Sequence, residues 1–178
     1  AGFWSSVSAL QGGAMREMYF PEYEADPTSP DPERKSNGLP SDGITRGTDR
    51  QHAGMITGRA WYKSLTLQWF LTSRKKFLPT GEYEATFDHP RARFGDTRGM
   101  VEARYEPQVT ETLQSLSRGH FNMYNFDGYT PYAPELEGPS RDSYRGRWGG
   151  LEERFVYTPS GMLRLTAGGE IVRHFATR

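Results

Sequence analysis

Apolar and polar residues alternate one for one in several stretches of this chain, a period that restricts those stretches to strands with one apolar and one polar face. Leu65, Leu67, Trp69 and Leu71 are separated by Thr66, Gln68 and Phe70. Tyr83, Ala85 and Phe87 are separated by Glu84 and Thr86, and Val101, Ala103 and Tyr105 by Glu102 and Arg104. Successive side chains of a strand point to opposite sides of the sheet, so each pattern sorts its residues onto two unlike faces. The 60–72 stretch can also be drawn as a helix, with Trp61, Leu65 and Trp69 four residues apart; flanking turn residues favour the strand.

The turn chemistry agrees. Leu78-Pro79-Thr80-Gly81 and Thr158-Pro159-Ser160-Gly161 share one design. Proline pre-sets φ for the first corner and glycine accepts the left-handed residue that closes a bulged hairpin. Gly168-Gly169 fits a two-residue hairpin. The chain from Glu152 to Arg178 is therefore expected to be a three-stranded meander, with strands over 152–158, 162–167 and 170–177. Residues 107–117 fit either a short helix or a strand, and the Gly- and Pro-rich 127–150 stretch reads as a long loop.

The first fifty residues read differently. Phe3, Val7 and Leu10 have helical spacing, but Gly12-Gly13 would stop such a helix. The segment is expected to be a short helix or an extended anchor. From Pro21 to His52 there are five prolines and no apolar period, the composition of extended chain. The expected architecture is mainly β, an antiparallel barrel or strongly curved sheet of about 7–9 strands. Residues 1–52 would form a long extended N-terminal arm, and residues 53–178 the β domain.

Composition narrows the function. The chain has 22 basic and 22 acidic residues and no net charge, so no single-sign field draws it to nucleic acid. It has no cysteine, which removes disulfides, thiolate catalysis and thiolate metal sites. Its longest apolar runs reach three residues, as at Trp69–Leu71, against about 20 for a membrane-spanning helix. No membrane span is therefore expected, although peripheral contact is compatible with the sequence. The first residue is Ala1 rather than Met. If a transit peptide has been removed, a mitochondrion or plastid is the expected location.

Local catalytic signatures are absent. His52, His89, His120 and His174 are scattered without metal-ligand spacing. There is no nucleophile elbow, phosphate-binding loop or dinucleotide fingerprint. The carboxylate pairs Glu82/Glu84, Glu102/Glu106 and Glu152/Glu153 fall on polar faces or at edges. No catalytic residue, cofactor or metal is expected.

Aromatic residues are the remaining signal. Phe121, Tyr124, Phe126, Tyr129 and Tyr132 cluster around Asp127-Gly128, which reads as a turn, and Phe3, Trp4, Tyr19, Phe20, Tyr23 and Trp148 lie in or near irregular segments. Exposed aromatics make good contact surfaces. These eleven residues are the interface candidates of a non-enzymatic accessory subunit in a large assembly. Its expected partners are other protein subunits in a hetero-oligomer, docked through the arm and the aromatic loops. The alternative is a β-barrel binding a small apolar ligand, resembling lipocalins in shape alone.

Overall fold

The computed structural model describes residues 1–13, 15–24, 41–80, 85–132 and 138–177. Nine strands are found among them: β1 (Gly2–Gly12), β2 (Met18–Glu24), β3 (Asp42–Thr45), β4 (Gln51–Tyr62), β5 (Leu65–Phe77), β6 (Arg93–Tyr105), β7 (Leu113–Thr130), β8 (Ser140–Ser160) and β9 (Leu163–Thr177). Seven form one antiparallel sheet in the order β1-β4-β5-β6-β7-β8-β9, and β2 and β3 pair separately. The mainly-β, antiparallel expectation holds. Among the described residues no closed barrel is found, and β1 and β9 are the edges of the sheet.

The alternating segments are strands where they were expected at 65–71 and 101–105. The 60–72 stretch holds the end of β4 and the start of β5, reversed at Lys63 and Ser64 with Lys63 at φ 52°. β8 and β9 join through Gly161-Met162, and the register shifts between Tyr157 and Ser160 as a bulged hairpin requires.

Several expectations are corrected. The chain end is two long strands rather than a three-stranded meander. Gly168 and Gly169 lie inside β9, opposite Arg154 and Glu153. A Cβ on Gly168 would sit 2.5 Å from the Glu153 carbonyl oxygen, so that glycine permits close strand approach rather than reversal. Residues 127–150 are mostly strand, because β7 runs to Thr130 and β8 begins at Ser140. Asp127 and Gly128 are ladder residues opposite Ser143 and Asp142, not a turn. Ala85–Phe87 is not strand, and the preceding 81–84 lie outside the described residues. The Pro79-Thr80 stretch opens a long connection, not a tight hairpin, before β6 begins opposite β5 at Arg93. In 107–117 an irregular turn with a Gln108–Gln114 bridge leads into β7. Within the expected arm, Gly2–Gly12 is an edge strand of the main sheet, and 25–40 fall outside the described residues.

The reversals are asymmetric. At one end of the main sheet the links are short, at 63–64, 106–112 and 161–162; at the other they are the longer 13–50, 78–92 and 131–139. Some of the long connections touch each other. Phe20 and Tyr23 of β2 meet Phe87, with the Tyr23 and Phe87 rings stacked at 4.5 Å. Asp88 accepts hydrogen bonds from the Arg46 amide (3.1 Å) and the Thr48 hydroxyl (2.5 Å). Thr86 N donates to the Pro131 carbonyl.

Candidate functional site

The sheet is a single layer. Among the described residues, substantial contacts between elements occur only between paired strands, so neither face is covered by another element. Reading across the register assigns every side chain of the main sheet to one of two faces.

The first face carries the odd-numbered residues of β5. One row crosses Phe3, Ala60, Leu67, Ala103, Gly119, Leu151 and Ile171. The next holds Ser5, Gly58, Trp69, Val101, Phe121, Gly149 and Arg173, and the one beyond it Val7, Ile56, Leu71, Gly99, Met123 and Arg147. Phe3 stacks on Trp69 at 5.9 Å, and Phe121 on Phe175 at 6.2 Å. Trp69 lies across Gly58, where a Cβ would fall 2.3 Å from the indole ring. The band is apolar from β1 to β7 and carries Arg147 on β8 and Arg173 on β9; it is exposed, Phe3 by 67%, Val7 by 75%, Leu151 by 71% and Ile171 by 75%. Contiguous exposed apolar area on this scale marks an interaction or membrane surface.

The band has edges. On β5 it runs from Leu65 to Leu71, roughly 20 Å of strand. Towards the short links it meets Tyr62 and Tyr105, and on the later strands it extends to Leu113, Tyr157 and Leu165. Glu153 shares the row of Leu65 and Tyr105 and accepts the Ser117 hydroxyl at 2.5 Å. Towards the long connections the band gives way to Ser73, Thr97, Asn125 and Arg145, then to Lys75, His52 and Asp127. Arg147 reaches past its own row to the Tyr124 carbonyl (3.1 Å) and Asn125 Oδ1 (2.9 Å). A shallow groove of about 600 Å³ lies over the small residues Ala103, Gly119 and Gly169, between Leu65 and Ile171.

The opposite face is charged. Arg118 on β7 is its centre, within 2.7 Å of Glu152, 2.9 Å of Glu170 and 3.5 Å of Glu102. Gln68 donates to Glu102 at 2.9 Å, and His120 Nε2 lies 3.3 Å from Glu170. Arg104 lies 3.2 Å from Glu106, and Arg74 pairs with Asp96 at 3.0 Å. Trp148 stacks on His174 at 6.2 Å. Thr66 and Glu102 here are buried, while their neighbours Leu65, Leu67, Val101 and Ala103 on the first face are exposed. On β5 and β6 the charged side is the more sheltered one, the reverse of a water-soluble sheet protein, while towards the edges Trp4, Leu10, Met55, Trp61 and Val172 on this same face are exposed too.

The interface candidates are not gathered into one surface. Phe3 and Phe121 belong to the apolar band, whereas Trp4, Tyr124, Phe126 and Trp148 lie on the charged face. Tyr129 sits beyond the band at the long-connection end. Tyr19, Phe20 and Tyr23 belong to β2, and Tyr132 follows β7. The aromatic residues expected on loops near 121–130 are strand residues. Among the described residues no cluster of His, Asp and Glu has metal-binding geometry. No helix of the described residues is long and apolar enough to cross a membrane. The chain matches no known protein family, no curated protein and no solved structure.

Proposed function

We propose that this chain forms part of the wall of a transmembrane β-barrel, with its apolar band against lipid and its charged face towards an aqueous lumen. The observation that carries the reading is the inverted assignment of faces, an exposed hydrocarbon band backed by a sheltered charge network. Barrel walls in outer-membrane-type proteins have this alternation, together with aromatic residues at the band edges. Strand length agrees: about 9–11 residues cross a bilayer, and β5 and β6 have 13 each, β7 18 and β8 21. Short links at one end and long connections at the other match the turns and loops of such barrels.

The open edges add a constraint. In an all-antiparallel order of seven strands, β1 and β9 run in the same direction. An all-antiparallel closure therefore needs an odd number of further strands. A second copy pairing β1 with β1 would be inverted in the membrane, so the closing strands come from a different segment. The accessory-subunit reading is the second proposal, supported by the same edges, which capture strands by augmentation.

Extraction separates the two. Produced with a membrane fraction or refolded with phospholipid vesicles, the chain is expected to float with the lipid and stay there after high salt and alkaline washing. A monomer that remains in the aqueous phase without detergent, with native strand content, contradicts the membrane reading.

A further inference from the structure

Two arginines interrupt the apolar band, and their surroundings differ. Arg147, on β8, is satisfied from within: it donates to the Tyr124 and Gly146 carbonyls and to Asn125 Oδ1. Arg173, on β9, is not. It belongs to the row of Trp69, Val101 and Phe121, with Ile171 and Phe175 on either side of it along the same face. Its cross-strand neighbour is Gly149, which has no side chain to offer. Phe175 takes that space instead, 3.4 Å from where a Cβ on Gly149 would sit and 6.2 Å from the Phe121 ring.

Arg173 is exposed, and among the described residues its guanidinium enters no ion pair or hydrogen bond. The Glu153 carboxylate of this face lies opposite Gly169, four residues away along β9, or roughly 13 Å of strand. β9 is also an edge of the sheet, so its outer side offers free backbone N–H and C=O groups to a further strand. With Gly149 and Phe175 closing the β8 side, the guanidinium is open towards the place that further strand would occupy.

We propose that the strand pairing with the free edge of β9 carries an aspartate or glutamate beside Arg173, on the apolar face, within an otherwise apolar alternation. The inference rests on the membrane reading above, in which a cation at this depth is destabilising unless paired. Residues directly opposite on paired strands have Cβ atoms about 4.5–5.5 Å apart, within reach of an arginine–carboxylate pair. Ile171 and Phe175 then set apolar positions two residues to either side of the carboxylate. The pair also fixes register: a slip of one residue moves the carboxylate to the other face, and a slip of two sets it against Ile171 or Phe175.

The test is binding of labelled eleven-residue peptides to the chain folded in a neutral detergent, followed by fluorescence anisotropy. The peptides alternate threonine and leucine, with the central leucine replaced by glutamate in one and by lysine in the other. The glutamate peptide is expected to bind roughly tenfold more tightly, through attraction in one case and repulsion in the other. R173E should reverse that preference, and R164Q, on the opposite face of β9, should keep it. Equal affinity for the two peptides, a preference unchanged in R173E, or binding of neither peptide would overturn the proposal. If the chain folds in detergent, each of these leaves the barrel reading intact; failure to fold in any detergent overturns both.

Discussion

Val101→Arg is expected to weaken membrane insertion markedly, whereas Met100→Arg, one residue away, is tolerated. Val101 is in the middle rows of the apolar band between Trp69 and Phe121, and Met100 points to the charged face between Phe70 and Asn122. An arginine on the lipid face near the midplane of a barrel wall costs about 2–4 kcal/mol, while a lumen position accepts charge. The measurement is the fraction of chain refolded into vesicles, read as protease-resistant β structure. An aqueous protein would respond in the opposite order. There Val101, 43% exposed, would accept a charge at little cost, and the more sheltered Met100 would not.

Arg118→Ala has the next largest expected effect. Its guanidinium lies within ion-pair distance of Glu102, Glu152 and Glu170, and its removal leaves three carboxylates facing one another across adjacent strands. Breaking a fully buried pair costs about 3–5 kcal/mol. Arg118 is 29% exposed at its side chain, so solvent screening reduces the expected loss to about 2 kcal/mol. Urea unfolding of the chain in detergent should show this as a lower midpoint with an unchanged slope. Arg118→Lys should restore only part of it, because one ammonium cannot replace a planar group with five donors. Full stability in Arg118→Ala would mean that the cluster contributes nothing to holding β6 to β9 together.

The sequence made the strands legible through alternation at 65–71 and 101–105, and the Pro159-Ser160-Gly161 reversal through its turn chemistry. It misled at glycines. Gly168-Gly169 and the 146–150 run allow a turn, but glycine also sits in strands where a neighbour comes too close for a Cβ. Gly150 would meet the His120 ring at 2.5 Å and Gly149 the His120 carbonyl at 2.8 Å. Nothing in the local sequence separates those two uses, because the neighbour belongs to another strand.

The functional face was half legible for a related reason. Period two sorts Leu67 from Gln68, but it does not say whether the leucine side meets a protein core or lipid. That choice appears only when seven strands are set side by side and the charged rows around Arg118 prove to be the sheltered ones. The interface candidates were chosen by residue type and proximity to turns. Once paired, Phe121 and Tyr124 fall on opposite faces of β7, and their shared location in sequence loses its meaning.

The most direct measurement of the central claim uses the chain's own tryptophans. Trp69 is on the apolar band, whereas Trp4 and Trp148 are on the charged face. With each as the only tryptophan, the chain is reconstituted in vesicles whose acyl chains carry bromine, which quenches indole fluorescence on contact. The barrel-wall account predicts strong quenching of Trp69 and little of Trp4 or Trp148. Equal quenching of all three, or a Trp69 that acyl bromine does not reach, would contradict it.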